Sequence, residues 1–159
     1  MSDTADPYDL DRFVQAQEQC YAQALSEIRS GRKTSHWMWF IFPQYEGLGH
    51  SPQSRYYSIK SVAEAKTYLY HRLLGPRLKE CAEAALAADA KGAEDIFGPV
   101  DAKKLRSCAT LFAWVSPSDG SVFHALLEKY FAGEPDGATL SLLGVSRADW
   151  DRRVPAQGS

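Results

Sequence analysis

Basic side chains and aromatic rings are concentrated in one stretch of this sequence, residues 29–60. Its basic residues are Arg29, Arg32, Lys33, Arg55 and Lys60, and its single acid is Glu46. Guanidinium and ammonium groups bind phosphate through charge-assisted hydrogen bonds, and tryptophan and tyrosine rings offer flat faces on which a base can stack. Gly47 and Gly49 would let backbone N–H groups come close to an anion. The stretch therefore predicts a binding site for a nucleotide-like ligand.

Four polar side chains interrupt the apolar part of the same stretch and are candidate functional groups for that reason. They are Lys33, His36, Gln44 and Ser51. A buried polar group without a partner is destabilising, so several of them close together in an apolar segment indicate a site. The alternative is a structural role, and for His36 this alternative is favoured.

The aromatic residues of this stretch also have an alternative role in the core. A Trp-x-Trp pair followed by an apolar run is more typical of a hydrophobic core than of a ligand platform, so residues 39–42 are predicted to be structural. The sequence leaves open which of Trp37 and Trp39 faces a pocket.

Residue spacing does not support several other kinds of site. Cys20, Cys81 and Cys108 form no CxxC motif and lie on predicted apolar helix faces, where thiols are usually inert. The histidines lack the spacing with acidic residues that a zinc site requires. The chain has no Walker, GxGxxG or GxSxG motif. Neither a metal nor a cofactor is predicted.

The length and composition of the chain predict one folded domain. The chain has 159 residues, of which 45% are hydrophobic and 24% are charged, and this is too apolar for a disordered protein. The formal net charge is −2. Residues 29–60 have a net charge of +4, so the rest of the chain has a net charge of −6. An acidic, polar beginning and the lack of an apolar run of about 18–20 residues predict neither a secretory signal nor a membrane span. We therefore expect a cytoplasmic protein with no membrane partner.

Helical periodicity dominates the remaining sequence and predicts an all-α fold with buried central helices. The predicted helices cover about 9–30, 61–71, 76–90, 101–114, 120–132 and 138–143, with a last turn near 146–149. Helix ends are expected at Gly31, Gly133 and Gly144. Ser61 and Glu64 predict a capping box, and Asp101 is predicted to cap the fourth helix. One helical domain is expected over 9–150, with flexible segments at 1–8 and 151–159.

Residues 32–60 show no sustained helical period and are predicted to form a long ordered aromatic loop with one helical turn near 35–40. Structureless loops longer than about 12–15 residues are uncommon in compact domains unless they have a function. Seven of the chain's 19 aromatic residues lie in this segment, and a disordered segment would leave all of them in water. We therefore expect the site to lie in this segment.

Several motifs spread along the chain together resemble one known family. They are Phe13-x-x-Ala16-Gln17, Gly31-Arg32-Lys33, the run HWMWFIFPQ at 36–44, Gly47-Leu48-Gly49-x-Ser51, and Leu74-Gly75-Pro76-Arg77-Leu78. Over about 9–144 the chain resembles a bacterial family of small proteins of unknown function that has sometimes been labelled calpastatin. The fold of that family is multihelical and similar to the NADAR group, the NAD- and ADP-ribose-associated proteins.

The resemblance implies an activity on N-glycosidic bonds, because NADAR proteins are implicated in removing ADP-ribose from modified guanine. Such hydrolysis needs a carboxylate or a positioned water, an aromatic wall and donors for phosphates. The catalytic residues would then be Glu46, Asp11 and Lys33. The ligand-binding residues would be Gln17, Arg32, His36, Trp37, Gln44, Gly47, Gly49, Ser51, Arg55 and Tyr57. The glutamate that precedes the aromatic residue in the group's first-helix pattern has no counterpart, since Leu10 stands three residues before Phe13.

Three classes of function remain open from the sequence. The first is an N-glycosidase acting on an ADP-ribose-linked or nucleotide-linked substrate, including modified nucleic acid. The second is a non-catalytic module that binds a nucleotide or another anion through residues 29–60, and the third is a protein-interaction domain. Polar side chains of the segment that converge on one pocket, with Asp11 or Glu46 within about 4–6 Å, would favour the enzyme.

Overall fold

The computed structural model describes residues 5–116 and 121–154, and this part of the chain contains ten helices. They are α1 (Asp11–Glu18), α2 (Tyr21–Ser30), α3 (Met38–Ile41), α4 (Pro52–Tyr56), α5 (Val62–Tyr70), α6 (Leu74–Ala87), α7 (Ala93–Val115), α8 (Val122–Phe131), α9 (Gly137–Leu143) and α10 (Arg147–Arg153). No strand is present in these ranges, where β pairing is limited to an isolated bridge between Tyr45 and Ile59. The predicted all-α fold is confirmed.

Side-chain caps fix the starts of five helices. The capping residues are Ser51, Ser61, Ser121, Asp136 and Ser146. Each accepts the backbone N–H three residues later, which satisfies a donor that the helix leaves unpaired. Gly31 and Gly144 end α2 and α9 in the left-handed conformation, as predicted. Glu64 accepts the backbone N–H of Lys60 instead of that of Ser61, so the predicted capping box forms only in part.

The predicted first helix is two helices. The chain leaves helical geometry at Cys20, where φ is −135° and ψ is −4°. This break lets the two halves bury different faces, because α1 packs against α3 and α2 packs against α6. Phe13 and Gln17 are buried on α1, while Ala24 and Ile28 are buried on α2. A single straight helix could not direct both apolar faces into one core.

The long helix α7 begins eight residues before the predicted start and bends within its first turns. Gly98 has φ of +81°, and Pro99 follows it, so the helix is kinked at this point. Asp101 therefore lies inside the helix, and the prediction that it caps the helix was wrong. Asp95 instead accepts the N–H of Gly92 at the true start.

The core surrounds the second half of α7, which is a buried central helix as predicted. It packs against α5, α8 and α9, and Leu105, Leu111 and Phe112 on it are fully buried. α6 covers a second side and contacts α2, α5 and α8. Among the described helices, none is long and apolar enough to cross a membrane.

The predicted long loop contains two short helices, α3 and α4, and folds back on itself. Phe40, Ile41 and Phe42 are buried, as expected for core residues. The backbone N–H of Ile59 donates to the carbonyl of Gln44 at 2.8 Å, and the N–H of Glu46 donates to the carbonyl of Ile59 at 2.8 Å. These two bonds close residues 45–59 into one compact unit.

Both ends of the described chain are attached to the helical body. Asp6 accepts the backbone N–H groups of Leu10 and Asp11 and so supports the start of α1. α10 continues to Arg153, beyond the predicted domain boundary at 150, and Trp150 stacks on Trp114 at a centroid distance of 6.4 Å. Residues 1–4 and 155–159 of the predicted flexible segments lie outside the described residues.

Candidate functional site

The two tryptophans of the HWMW run have different environments. Trp37 is only 1% exposed, and its indole Nε1–H donates to Glu27 at 3.0 Å. Its ring packs against Phe42 and Phe97. Trp37 is therefore a core residue and cannot serve as the aromatic wall of a site. Trp39 is half-buried and lines a groove, so it provides the aromatic face.

Glu27 holds the turn that precedes these tryptophans. Its carboxylate accepts the backbone N–H groups of Thr34 and Ser35 at 2.7 and 3.0 Å, and it also accepts from Ser35 Oγ and Gln23 Nε2. Burial by itself raises the pKa of this carboxyl, but the hydrogen bonds outweigh burial and hold the pKa far below its ordinary value. Glu27 is thus an ionised structural centre that orients Trp37 inwards.

The groove beside Trp39 has a volume of about 380 Å³ and lies between the 44–54 segment, α7 and the start of α9. Gln44, Gly49 and Ser51 contribute one wall, so three residues predicted from the sequence meet there. The opposite wall consists of Lys103, Lys104, Ser107 and Asp136. Asp136 is occupied as a helix cap and accepts both the N–H and the hydroxyl of Thr139. Because Lys103 and Lys104 outnumber this one carboxylate, the wall has a net positive charge, and we call it the cationic wall.

Lys104 connects this groove to a half-buried ionic array. Its ammonium lies 4.0 Å from the centroid of the Trp39 ring and 3.1 Å from Asp101 Oδ1. The other oxygen of Asp101 is 2.8 Å from Lys33 Nζ, which lies 5.0 Å from the Trp37 ring. Burial alone raises the pKa of Asp101, and the two lysines reverse this effect and lower it. Two lysines share one carboxylate, so the array keeps a net positive charge.

Lys33 therefore does not line the groove, contrary to its predicted role at the reacting centre. Its ammonium points at Asp101, and its backbone N–H donates to the carbonyl of Ile96 at 2.7 Å. It can affect a ligand only through Asp101 and Lys104.

A small cleft of about 20 Å³ adjoins the groove and brings together other predicted residues. Trp39, Gln44 and Gly49 line both cavities, and Glu46, Gly47, Arg55 and Tyr57 line the cleft. This volume is about enough for one water molecule. Burial, together with the neighbouring Tyr56, raises the pKa of Tyr57, which keeps its hydroxyl protonated. The cleft therefore places a carboxylate, a guanidinium and a phenol beside the groove.

Gly47 and Gly49 shape this region through the backbone. Gly47 has φ of +105°, a conformation that other residues rarely adopt. A Cβ atom at Gly49 would lie 2.5 Å from Ser54 Oγ, so the loop and α4 approach as closely as a glycine permits. Ser51 uses its hydroxyl to cap α4 by accepting the N–H of Ser54.

Besides Lys33 and Trp37, four predicted site residues line neither the groove nor the cleft. Gln17 is buried, and its amide donates to the carbonyl of Phe40 at 2.7 Å, which ties α1 to α3. Asp11 is exposed on α1, where its carboxylate accepts from Gln15. Arg32 and His36 are also exposed. Gln17 therefore has a structural role on α1, and Asp11 is a surface residue of the same helix.

Residues 7–143 match the family described as a protein of unknown function, DUF1810. The chain belongs to the DUF1810 family. A solved structure with the same fold is the crystal structure of the conserved hypothetical protein Rv1873 from Mycobacterium tuberculosis, which is 49% identical. The match covers 89% of this chain and 100% of that one, with a TM-score of 0.85. The comparison with curated proteins found no match. Membership in a family of unknown function agrees with the sequence analysis, while the similarity to the NADAR group stays a prediction.

The cationic wall of this DUF1810 groove escaped the sequence analysis. Lys103, Lys104 and Ser107 lie on α7, and Asp136 precedes α9, both far along the chain from residues 29–60. One signal was available in the sequence, because the lysine pair Lys103 and Lys104 stands one turn before Ser107 in a largely apolar stretch. Within residues 5–116 and 121–154, no three His, Cys, Asp or Glu side chains are grouped so that they could hold a metal ion.

Proposed function

We propose that this DUF1810 protein binds a nucleotide-type ligand in the groove beside Trp39. The observation that supports this most directly is the position of the Lys104 ammonium over the Trp39 ring, 4.0 Å from the ring centroid, which combines a cation and an aromatic side chain on a concave surface. A ligand with a flat base and a phosphate needs both kinds of group within one site. The groove volume of about 380 Å³ is within the range of about 300–1,000 Å³ that is common for small-molecule sites.

The distribution of polar groups supports the same ligand class. Lys103 and Lys104 supply donors for phosphate oxygens on one wall. Gln44 on the opposite wall offers both an amide donor and a carbonyl acceptor, which can pair with the edge of a base or with a ribose hydroxyl. The expected ligand is therefore an anion with a flat ring, and ADP-ribose is the first example to test because of the predicted NADAR likeness.

The binding proposal is tested by calorimetry and thermal shift with ADP-ribose, ADP and adenosine. We expect ADP-ribose and ADP to bind and to raise the unfolding temperature, and adenosine to bind more weakly. Lys104→Gln should weaken ADP binding at least about tenfold, since a charge-assisted bond contributes roughly 1.5–3 kcal/mol. Lys79→Gln, at an exposed lysine on α6, is the matched control. Equal affinities of the two variants, or no binding of any nucleotide, would contradict the proposal.

A second candidate function is hydrolysis of an N-glycosidic bond in the bound ligand. It is favoured by Glu46, an acidic residue that lines the cleft sharing Trp39 and Gln44 with the groove. In this reaction Glu46 would take a proton from a water that attacks the anomeric carbon of the ribose. The bond from that carbon to the base nitrogen breaks, and its electron pair goes to the base. The proton that Glu46 took from the water then passes to a neutral base or, when the base is the cationic nicotinamide of NAD, to solvent.

The two candidates differ in the fate of the ligand. Chromatography after long incubation would detect an enzyme as nicotinamide released from NAD, or as ADP-ribose released from DNA that carries ADP-ribosylated guanine. Glu46→Gln should then abolish release while ADP-ribose binding persists. An intact substrate in the presence of demonstrated binding identifies a non-catalytic module.

A further inference from the structure

We infer that a second cavity, on the other side of α4, holds a second phosphate-linked ring of the ligand that occupies the Trp39 groove. This inference rests on the proposed binding function. The cavity has a volume of about 670 Å³ and is larger than the groove. It lies between the segment that precedes α1 and the helices α4 and α5. Of the site residues predicted from the sequence, Arg55 alone lines this cavity as described.

Arg55 lies between the two sites. It lines the small cleft that adjoins the Trp39 groove, and it also lines the second cavity. Ser54, the residue before it, faces the groove and the cleft, while Tyr56, the residue after it, faces the second cavity. Arg55 is exposed, and within the described ranges no side-chain hydrogen bond or ion pair engages its guanidinium. A phosphate bound to Arg55 would link a ligand ring in the Trp39 groove to a second ring in this cavity.

The walls of the second cavity suit a ring and a sugar. Tyr56 is 55% exposed although it is aromatic, so its ring is available for stacking, and the half-buried Tyr8 lines the same space. The carboxylate of Asp9 is exposed and can accept sugar hydroxyls. Asp9 has φ of +52°, and its carbonyl accepts from Arg12 Nη1 at 2.8 Å, so the fold holds this loop in a strained conformation.

A buried ion pair fixes the floor of this cavity. Arg12 Nη2 lies 2.7 Å from Glu64 Oε2, and the remaining guanidinium donors bind the carbonyls of Tyr8, Asp9, Tyr56 and Ser58. Arg12 therefore ties all three surrounding segments together and has no donor left for a ligand. Lys60 also lines this cavity, but its ammonium donates to the backbone carbonyls of Arg55 and Ser58 at 3.3 Å. Arg55 is therefore the cation with more donors available for a phosphate beside the ring.

The shared chemistry, a phosphate followed by a second flat ring, could come from a pyrophosphate-linked dinucleotide or from the next nucleotide of a single strand. Calorimetry with three adenine probes distinguishes the sources: ADP, diadenosine diphosphate, and the single-stranded dinucleotide of two adenylates. We expect at least one of the two-ring probes to bind about tenfold or more tightly than ADP. The tighter of the two identifies the source.

Tyr56→Ala is the decisive variant, and Tyr70→Ala is its matched control because Tyr70 is 73% exposed on α5. Tyr56→Ala should reduce the affinity of the two-ring probe to that of ADP and leave ADP binding unchanged, whereas Tyr70→Ala should change neither. Two-ring probes that bind no tighter than ADP, or equal effects of the two variants, overturn the inference. If ADP binding still depends on Lys104 in that case, the groove proposal stands alone. If no probe binds, both fail together.

Discussion

The indole N–H of Trp37 donates to the carboxylate of Glu27 at 3.0 Å, in the interior of the protein. The same carboxylate accepts two backbone N–H groups from the turn at 34–35. This arrangement directs Trp37 into the core and leaves Trp39, two residues later in the next helix, on the groove. Glu27 thus determines which tryptophan can meet a ligand, although it contacts no cavity itself.

Stability should depend on pH through Glu27. Its pKa is lowered in the folded protein, so its stabilising effect is fully present above the ordinary carboxyl pKa of 4.5 and is lost as the pH falls further. Glu27→Gln should lower the free energy of unfolding by about 2 kcal/mol at pH 7 and by clearly less at pH 3. Urea unfolding of the wild type and the variant at pH 7 and pH 3 measures the two losses of unfolding free energy. Glu18→Gln, at an exposed position on α1, is the control, and an equal loss at pH 7 from that variant would contradict the role of Glu27.

The two tryptophans should respond differently to truncation. Trp37→Ala removes a fully buried ring and should lower the free energy of unfolding by about 3–5 kcal/mol. Trp39→Ala removes a half-buried ring and one cation–π contact, so a loss below about 2 kcal/mol is expected together with loss of nucleotide binding. Chemical unfolding and calorimetry on both variants test this. A folded Trp37→Ala protein of normal stability would show that the core assignment is wrong.

The buried pair of Arg12 and Glu64 should be strongly coupled. Arg12→Met leaves the Glu64 carboxylate buried without its cation, and we expect the free energy of unfolding to fall by about 3–5 kcal/mol. The double variant with Glu64→Gln should be less destabilised than the sum of the single variants. Arg147→Met breaks an exposed pair with Glu134 and should cost less than about 1 kcal/mol. Similar losses at the two arginines would refute the predicted coupling.

Gly49 should tolerate a side chain only if Ser54 is reduced in size. A Cβ atom at Gly49 would lie 2.6 Å from Ser54 Cβ, so Gly49→Ala should displace α4 and lower the free energy of unfolding by about 1–3 kcal/mol. In a Ser54→Gly background the same change should cost clearly less. A double-mutant cycle by urea unfolding measures this coupling, and additive effects would mean that the close approach has no energetic consequence.

The sequence alone determined the fold class and most helix ends, and it predicted a site region that stays a prediction. Serine and aspartate caps, left-handed glycines and helical periodicity act over three or four residues, so they can be read locally. The same analysis placed Gln44, Gly49, Ser51 and Arg55 in a site region, and these residues do line the groove or the adjoining cleft. The same signals predicted one helix over 9–30, whereas tertiary packing divides it into two helices at Cys20.

Only the tertiary structure decided which side chains share a cavity. Lys33 is close to Gln44 in sequence, but Asp101 draws its ammonium away from the groove, and Lys104 occupies the place beside Trp39. Trp37 and Trp39 have the same residue type and differ because Glu27 pairs with one of them. These outcomes depend on contacts between distant helices, and a sequence carries no local record of them.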